Sequence, residues 1–191
     1  QVQALLDALP EDRPLQAVLH LAGVVDDALL RELSPASIEA VFAAKVESAR
    51  VLDALTRAHP ITDFALFSSA SGILGAAGQA SYAAANATLD ALASARRSQG
   101  LPALSLAWGP WSEVGMVARL DRAAQARLRR QGVIPLRPEE GLALLDASLR
   151  APRVEATLVP LRLDPRALAE HEGPLPAVLR GLVRPRRAEA E

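Results

Sequence analysis

Along the 191-residue chain, short apolar runs alternate with longer stretches in which apolar side chains recur every three or four positions. The first run, Leu15-Gln16-Ala17-Val18-Leu19-His20-Leu21, stops at Ala22-Gly23 and predicts a buried strand. Ser34-Pro35 then supplies an N-cap and a proline for the first helical position, and Ile38, Val41, Phe42, Lys45, Val46, Ala49 and Leu52 fall at helical spacing to about Ala58. A second strand is expected at 63–67, ending in Ser68-Ser69, and a second long helix at about 81–97. Residues 104–108 predict a third strand closed by Gly109-Pro110, residues 118–130 an arginine-rich amphipathic stretch, 138–150 a further helix and 156–161 a fourth strand.

This βαβαβαβ pattern, with apolar strands separated by helices, predicts an α/β fold of parallel strands covered on both faces and joined by right-handed crossovers. In such sheets the ligand crevice lies beyond the carboxyl ends of the strands. The segments to inspect are therefore 23–27, 68–78 and 109–115.

Composition narrows the class of function. Half the residues are hydrophobic and the formal net charge is -1, which excludes a disordered tail and a chain built to coat nucleic acid or an anionic membrane. Without cysteine there is neither a disulfide framework nor a thiolate metal site, and the three histidines, His20, His59 and His171, are scattered. No run of apolar residues is long enough for a membrane span and no signal peptide is readable, so a cytoplasmic location is expected. Of 21 basic residues only Lys45 is a lysine, and Tyr82 is the one tyrosine. A bias of this kind follows coding base composition. The two exceptions still point to roles that arginine and phenylalanine cannot fill, a compact ammonium and a phenolic proton.

Other motifs fall short. Gly72-Ile73-Leu74-Gly75-Ala76-Ala77-Gly78 follows a strand and precedes a helix but has GxxGxxG spacing, so it reads as a tight turn and not as a phosphate loop. Ser69 lacks the flanking glycines of a nucleophile elbow, the arginine run at 119–130 reads as a solvated helix face, and His20 as a packed histidine at a strand end. What survives is Lys45, Ser69, Tyr82 and Asn86. Tyr82 and Asn86 are four residues apart on one predicted helix, and Ser69 stands at a strand's carboxyl end. A phenol of ordinary pKa about 10 is a poor acid at neutral pH, but a nearby ammonium lowers that value and a serine hydroxyl can hold a carbonyl oxygen against it.

The segment Phe67-Ser68-Ser69, the Gly-rich turn and Gly78-Gln79-Ala80-Ser81-Tyr82-Ala83-Ala84-Ala85-Asn86 with the rest of its helix resemble the ketoreductase domain of modular type I polyketide synthases, in the short-chain dehydrogenase/reductase superfamily. The spacings agree: Ser69 to Tyr82 is 13, Tyr82 to Asn86 is 4, and Lys45 precedes Tyr82 by 37. Lysine before serine, with Asn at position 86, departs from the YxxxK order of ordinary superfamily members and is characteristic of the synthase branch. His20-Leu21-Ala22-Gly23-Val24, Trp108-Gly109-Pro110-Trp111 and Val159-Pro160-Leu161-Arg162-Leu163-Asp164 extend the similarity over nearly the whole chain.

The resemblance implies NADPH-dependent, stereospecific reduction of a β-ketoacyl thioester on an acyl carrier protein to the β-hydroxyacyl thioester. Tyr82 would protonate the alkoxide, Ser69 would hold the ketone, and Lys45 and Asn86 would order the tyrosine, the cofactor ribose and a relay water. Ala22, Gly23, Pro110 and Trp111 match positions lining the cofactor, together with Lys45 and Tyr82. Val25-Asp26-Asp27 is similar to the Leu-Asp-Asp motif of B-type domains, with Asp27 as its final aspartate. Gln79 stands where domains of the other facial preference carry Trp, and Ala84 is not the Pro of epimerising B-type domains. A D-configured, unepimerised product is expected. The Rossmann-like, doubly wound sheet would be its carboxyl-terminal portion of about four parallel strands, with the first βαβαβ half and its Gly-rich loop outside the chain and the first strand's edge unpaired unless another polypeptide covers it. Residues 1–183 are then a partial catalytic domain and 184–191 the start of a linker to neighbouring synthase domains. The alternative is an inactive ketoreductase-like remnant that braces those domains.

Overall fold

Four parallel strands make the sheet expected from the sequence. A short helix, α1 (Val2–Asp7), precedes β1 (Ala17–His20), β2 (Asp63–Ser69) and β3 (Leu104–Trp108); beyond a two-residue strand outside this sheet, β4 (Val133–Ile134), comes β5 (Thr157–Leu158). The order across the sheet is β1-β2-β3-β5. The computed structural model describes residues 1–112, 132–152, 154–170 and 175–182. The predicted stretch 118–130, the linker at 184–191 and His171 lie outside the described residues.

Burial follows position in the sheet. β3 is buried at all five positions, as an apolar strand with neighbours on both sides must be. β1 alternates instead, with Val18 and His20 buried and Ala17 and Leu19 exposed, because it stands at the end of the strand order. The fourth strand of the sheet is shorter than its apolar run predicts. Pro160, which has no N–H to give a ladder, comes soon after it, and the chain re-enters strand pairing only at β6 (Arg162–Leu163), antiparallel to β4.

The chain divides into two compact units, residues 1–108 with 148–159, and residues 109–147 with 160–191. In the first, the β1–β2 connection runs through α2 (Pro35–Phe42), a π-helical segment (Ala43–Glu47) and α3 (Ser48–Thr56). Ser34 caps α2 by accepting from the Ser37 N–H at 3.1 Å, with Pro35 at the first position as its sequence predicts. The β2–β3 connection runs through α4 (Ser71–Leu74) and α5 (Ala80–Ser98). Phe64 and Leu66 of β2, Val18 of β1, Ala49 of α3 and Leu89 and Ala93 of α5 form the main apolar cluster. In the second unit, the helix Pro138–Arg150 begins beneath Trp111: a Cβ on Gly141 would lie 2.3 Å from the Trp111 ring, so only glycine permits that approach.

One buried ion pair ties the helices of the first unit together. Arg96, 1% exposed near the end of α5, bonds the Asp53 carboxylate and backbone of α3, donates to the Pro102 carbonyl at 3.0 Å and stacks 4.2 Å from the Phe64 ring centroid. Asp53 also accepts from Arg57 at 2.8 Å. Burying two charges gains little over an apolar pair, but removing one partner strands the other. Arg96→Met is expected to cost about 3 kcal/mol in urea unfolding, and Asp53→Leu added to it should recover part of that loss.

Candidate active site

Three segments at the carboxyl ends of the strands supply the site in the first unit. β1 leads into the loop with Ala22, Gly23 and Asp27; β2 ends at Ser69; and the turn after α4 delivers α5 with Tyr82 and Asn86. The three glycines between Ser69 and Tyr82 divide the work. Gly75 (φ 75°) and Gly78 (φ 79°) take the left-handed backbone that side chains avoid, and Gly72 lets α4 lie on α5, since a Cβ there would be 3.0 Å from the Ala87 nitrogen and 3.3 Å from the Asn86 Cβ. The segment is a close-packed turn, as its spacing predicts.

Lys45 is 3% exposed, and its Nζ donates to the Phe67 carbonyl of β2 at 2.9 Å and lies 5.5 Å from the Tyr82 ring centroid. Gly23 faces its stem: a Cβ at 23 would stand 3.0 Å from Lys45 Cε and 3.5 Å from Nζ. Burial lowers the ammonium from 10.5 to about 8, with the Asp90 carboxylate pulling the other way. Tyr82 is 6% exposed. Burial pushes its phenol above the ordinary 10, contacts with the Asn86 and Ser69 side chains pull it back, and the Asp27 carboxylate pushes it up again. The expectation that the lysine governs the phenol therefore needs correction: desolvation is the largest influence, and it keeps the phenol protonated.

Ser69 Oγ accepts from the Ser71 N–H at 3.2 Å and from the Ser71 hydroxyl at 3.1 Å, so its own proton is left to donate outward. Asn86 is fully buried; its Nδ2 donates to the Tyr82 carbonyl at 2.8 Å and its Oδ1 has no hydrogen-bond partner among the described residues. The four residues singled out from the sequence thus gather around one phenol. Pro110 and Trp111 fall in the second unit.

Sequence reasoning missed two features of this site. The Gln79 amide donates to both oxygens of Asp27, at 3.2 and 3.0 Å, while the Ala28 N–H donates to the Gly78 carbonyl at 2.9 Å, which latches the β1 loop to the turn before α5. The π-helical turn around Lys45 was also unforeseen; two adjacent buried residues, Lys45 and Val46, are its trace in the pattern. Among the described residues no cluster of ligating side chains suits a metal ion, and no helix is long and apolar enough to cross a membrane.

A family profile described as KR domain matches residues 1–113. The spectinabilin polyketide synthase system protein NorA′ of Streptomyces orinoci is 55% identical over 184 residues, which cover 96% of this chain and 5% of that protein. The pikromycin polyketide synthase component PikAII of Streptomyces venezuelae is 46% identical, over 95% of this chain and 5% of that protein. Among solved structures, one described as A-type ketoreductases from a modular polyketide synthase superposes with a TM-score of 0.82 at 43% identity, over 93% of this chain and 37% of the other. The first ketoreductase of the tylosin PKS superposes at 0.75 with 38% identity, over 97% and 38%. The chain spans only a small fraction of the length of these curated relatives.

The buried amine sets a pH dependence. Between about 8 and 10.5 the unfolded chain holds the Lys45 proton that the folded chain has released, so this group makes stability rise with pH. Tyr82, raised above 10, acts in the opposite sense only beyond that value, because there the folded chain retains the proton. The urea midpoint is expected to climb between pH 8 and 10, and Lys45→Met to flatten that climb.

Proposed function

Since the chain belongs to the ketoreductase domain family of polyketide synthases, we propose that, as part of a longer synthase, it reduces a β-ketoacyl thioester, carried on an acyl carrier protein, to the β-hydroxyacyl thioester with NADPH. The observation that carries this reading is the buried Tyr82 phenol, held protonated, with the Lys45 ammonium 5.5 Å from its ring and Ser69 and Asn86 beside it. A scaffold that only braced neighbouring domains has no physical use for a desolvated amine at this position.

The residues present fit the nicotinamide-ribose end of such a cofactor. Lys45 spends one N–H on Phe67 and has two more to give, and Gly23 without a Cβ leaves a close approach to that amine. When bound, the cofactor supplies the hydride. Ser69 donates its free proton to the ketone oxygen and fixes it near Tyr82. Tyr82 gives up its phenolic proton to the oxygen as negative charge develops there. Lys45, still largely an ammonium at neutral pH, stabilises the phenolate that remains. The Oδ1 of Asn86 would accept a hydrogen bond from a relay water that returns the proton.

For the stereochemical course we propose the B-type outcome, a D-configured hydroxyl with any α-substituent unepimerised. Support comes from Asp27, presented at the crevice mouth by its bonds with Gln79, and from Ala84 two residues after Tyr82. The likeness to structures described as A-type favours the opposite face, and the product distinguishes the two.

In the longer synthase, with the first half of the domain joined to this chain, Tyr82→Phe is expected to lower turnover of a β-ketoacyl thioester by about 10²- to 10⁴-fold while the protein stays folded. Lys45→Arg should also be poor, because a planar guanidinium does not copy a compact ammonium. Near-normal turnover by Tyr82→Phe would reject the assignment. Chiral chromatography of the product should give mainly the D-hydroxyl; a mainly L-configured product would leave the reduction standing and overturn the facial preference.

A further inference from the structure

The backbone that carries Lys45 is not an ordinary helix. In an α-helix the Ser48 N–H would bond the Ala44 carbonyl four residues back; here it reaches Ala43, five back, and the turn widens by one residue. The Ala44 carbonyl so released is taken by the Ser48 hydroxyl at 2.5 Å, with the Lys45 carbonyl 3.4 Å from the same oxygen. The wider turn allows Lys45 and Val46, neighbours in sequence, both to be buried.

With its proton committed to Ala44, Ser48 Oγ is left as an acceptor, and His20 Nε2 meets it at 2.7 Å. With the Ser48 proton on Ala44, the donor in this bond is the His20 Nε2–H. Burial first, and the Lys45 charge second, hold His20 below the ordinary histidine value and so favour the neutral ring. His20 is 3% exposed at the last position of β1, three residues before Gly23, and its Nδ1 has no hydrogen-bond partner among the described residues. A continuous set of contacts therefore runs from β1 through His20 and Ser48 into the π turn, and the same strand end presses Gly23 against the lysine's stem.

We propose that His20 and Ser48 are positioning residues: together they hold open the π turn that presents the Lys45 ammonium to the Phe67 carbonyl and the Tyr82 ring. Their role in the reaction rests on the proposed part of Lys45 in the reduction; the geometric claim does not. Neither residue touches the reacting atoms. If the turn closes to an ordinary helix, Lys45 changes its register against β2 and its ammonium gains water.

The single lysine makes the claim directly measurable. In the chain labelled with isotopic lysine, one side-chain resonance reports the Lys45 titration with neither cofactor nor substrate present. The ionisable groups acting on it are Asp90 and Tyr82 of α5 and His20 of β1; β2 offers it only a carbonyl, and Glu47 on the same turn pairs with Arg50. The wild-type midpoint is expected at about 8. Ser48→Ala and His20→Leu should each move it up toward the ordinary 10.5, by about one unit or more. Ser48→Thr, which keeps the hydroxyl, and His20→Gln, whose amide N–H can replace the Nε2 donor, should restore it. If Ser48→Ala does not fold, His20→Leu carries the comparison. Unchanged midpoints in the variants that lose the bond, or equal shifts in the conservative ones, would overturn the proposal. Because the titration is read without turnover, its outcome is separate from that of Lys45→Arg in the reduction assay.

Discussion

A lysine ammonium held out of water is the constraint on which the first unit is organised. Its desolvation is costly, and the chain offsets that cost with a carbonyl of β2 and with an aromatic face and a carboxylate of α5. Phe67 offers the carbonyl only because β2 runs past Lys45 in register with its neighbours, and Tyr82 offers its ring only because the turn at 72–78 is tight enough to bring α5 back beside β2. The site is in this sense a property of the sheet's carboxyl edge as a whole. Each local rule, from the Ser34 cap to the left-handed glycines, serves the placement of one charge.

Two ionisable groups in that site are driven apart by the same cause. Burial moves the lysine down and the phenol up, so at neutral pH both hold their protons, the lysine with the smaller margin. That is the state in which a phenol acts as an acid with a cation ready to receive the charge it leaves behind. The desolvation that a simple ion-pair argument omits thus keeps the proton on the phenol, and in the proposed reduction the ammonium would stabilise the phenolate once that proton has moved.

The fold was legible where pattern and environment coincide. The third strand, apolar at nearly every position, matches its predicted bounds because both its faces and both its edges are occupied, and α2 begins at Pro35 because Ser34 and Pro35 encode a helix start in two residues. The fourth strand of the sheet was overread. Its apolar run continues through Pro160, but hydrogen bonding, which hydropathy does not report, ends the ladder sooner. The four candidate residues drew attention through residue scarcity and spacing together, since a lone lysine and a lone tyrosine stood at meaningful intervals from Ser69 and Asn86. The π turn and the latch between Asp27 and Gln79 were not, because each is a choice among hydrogen-bond partners distant in sequence or differing by a single residue along the helix.

The Arg96 guanidinium has a consequence for the order in which structure is lost. It joins Asp53 of α3 to Pro102 and Phe64, so if α3 left alone the buried guanidinium would lose its carboxylate, whereas Asp53 would keep Arg57 if α5 left. Helices connected only by side-chain packing fray one at a time; these two are coupled through a buried charge. The layer formed by α3 and α5 is therefore expected to open to solvent exchange more nearly as one sub-global unit than as a graded series from the helix ends inward.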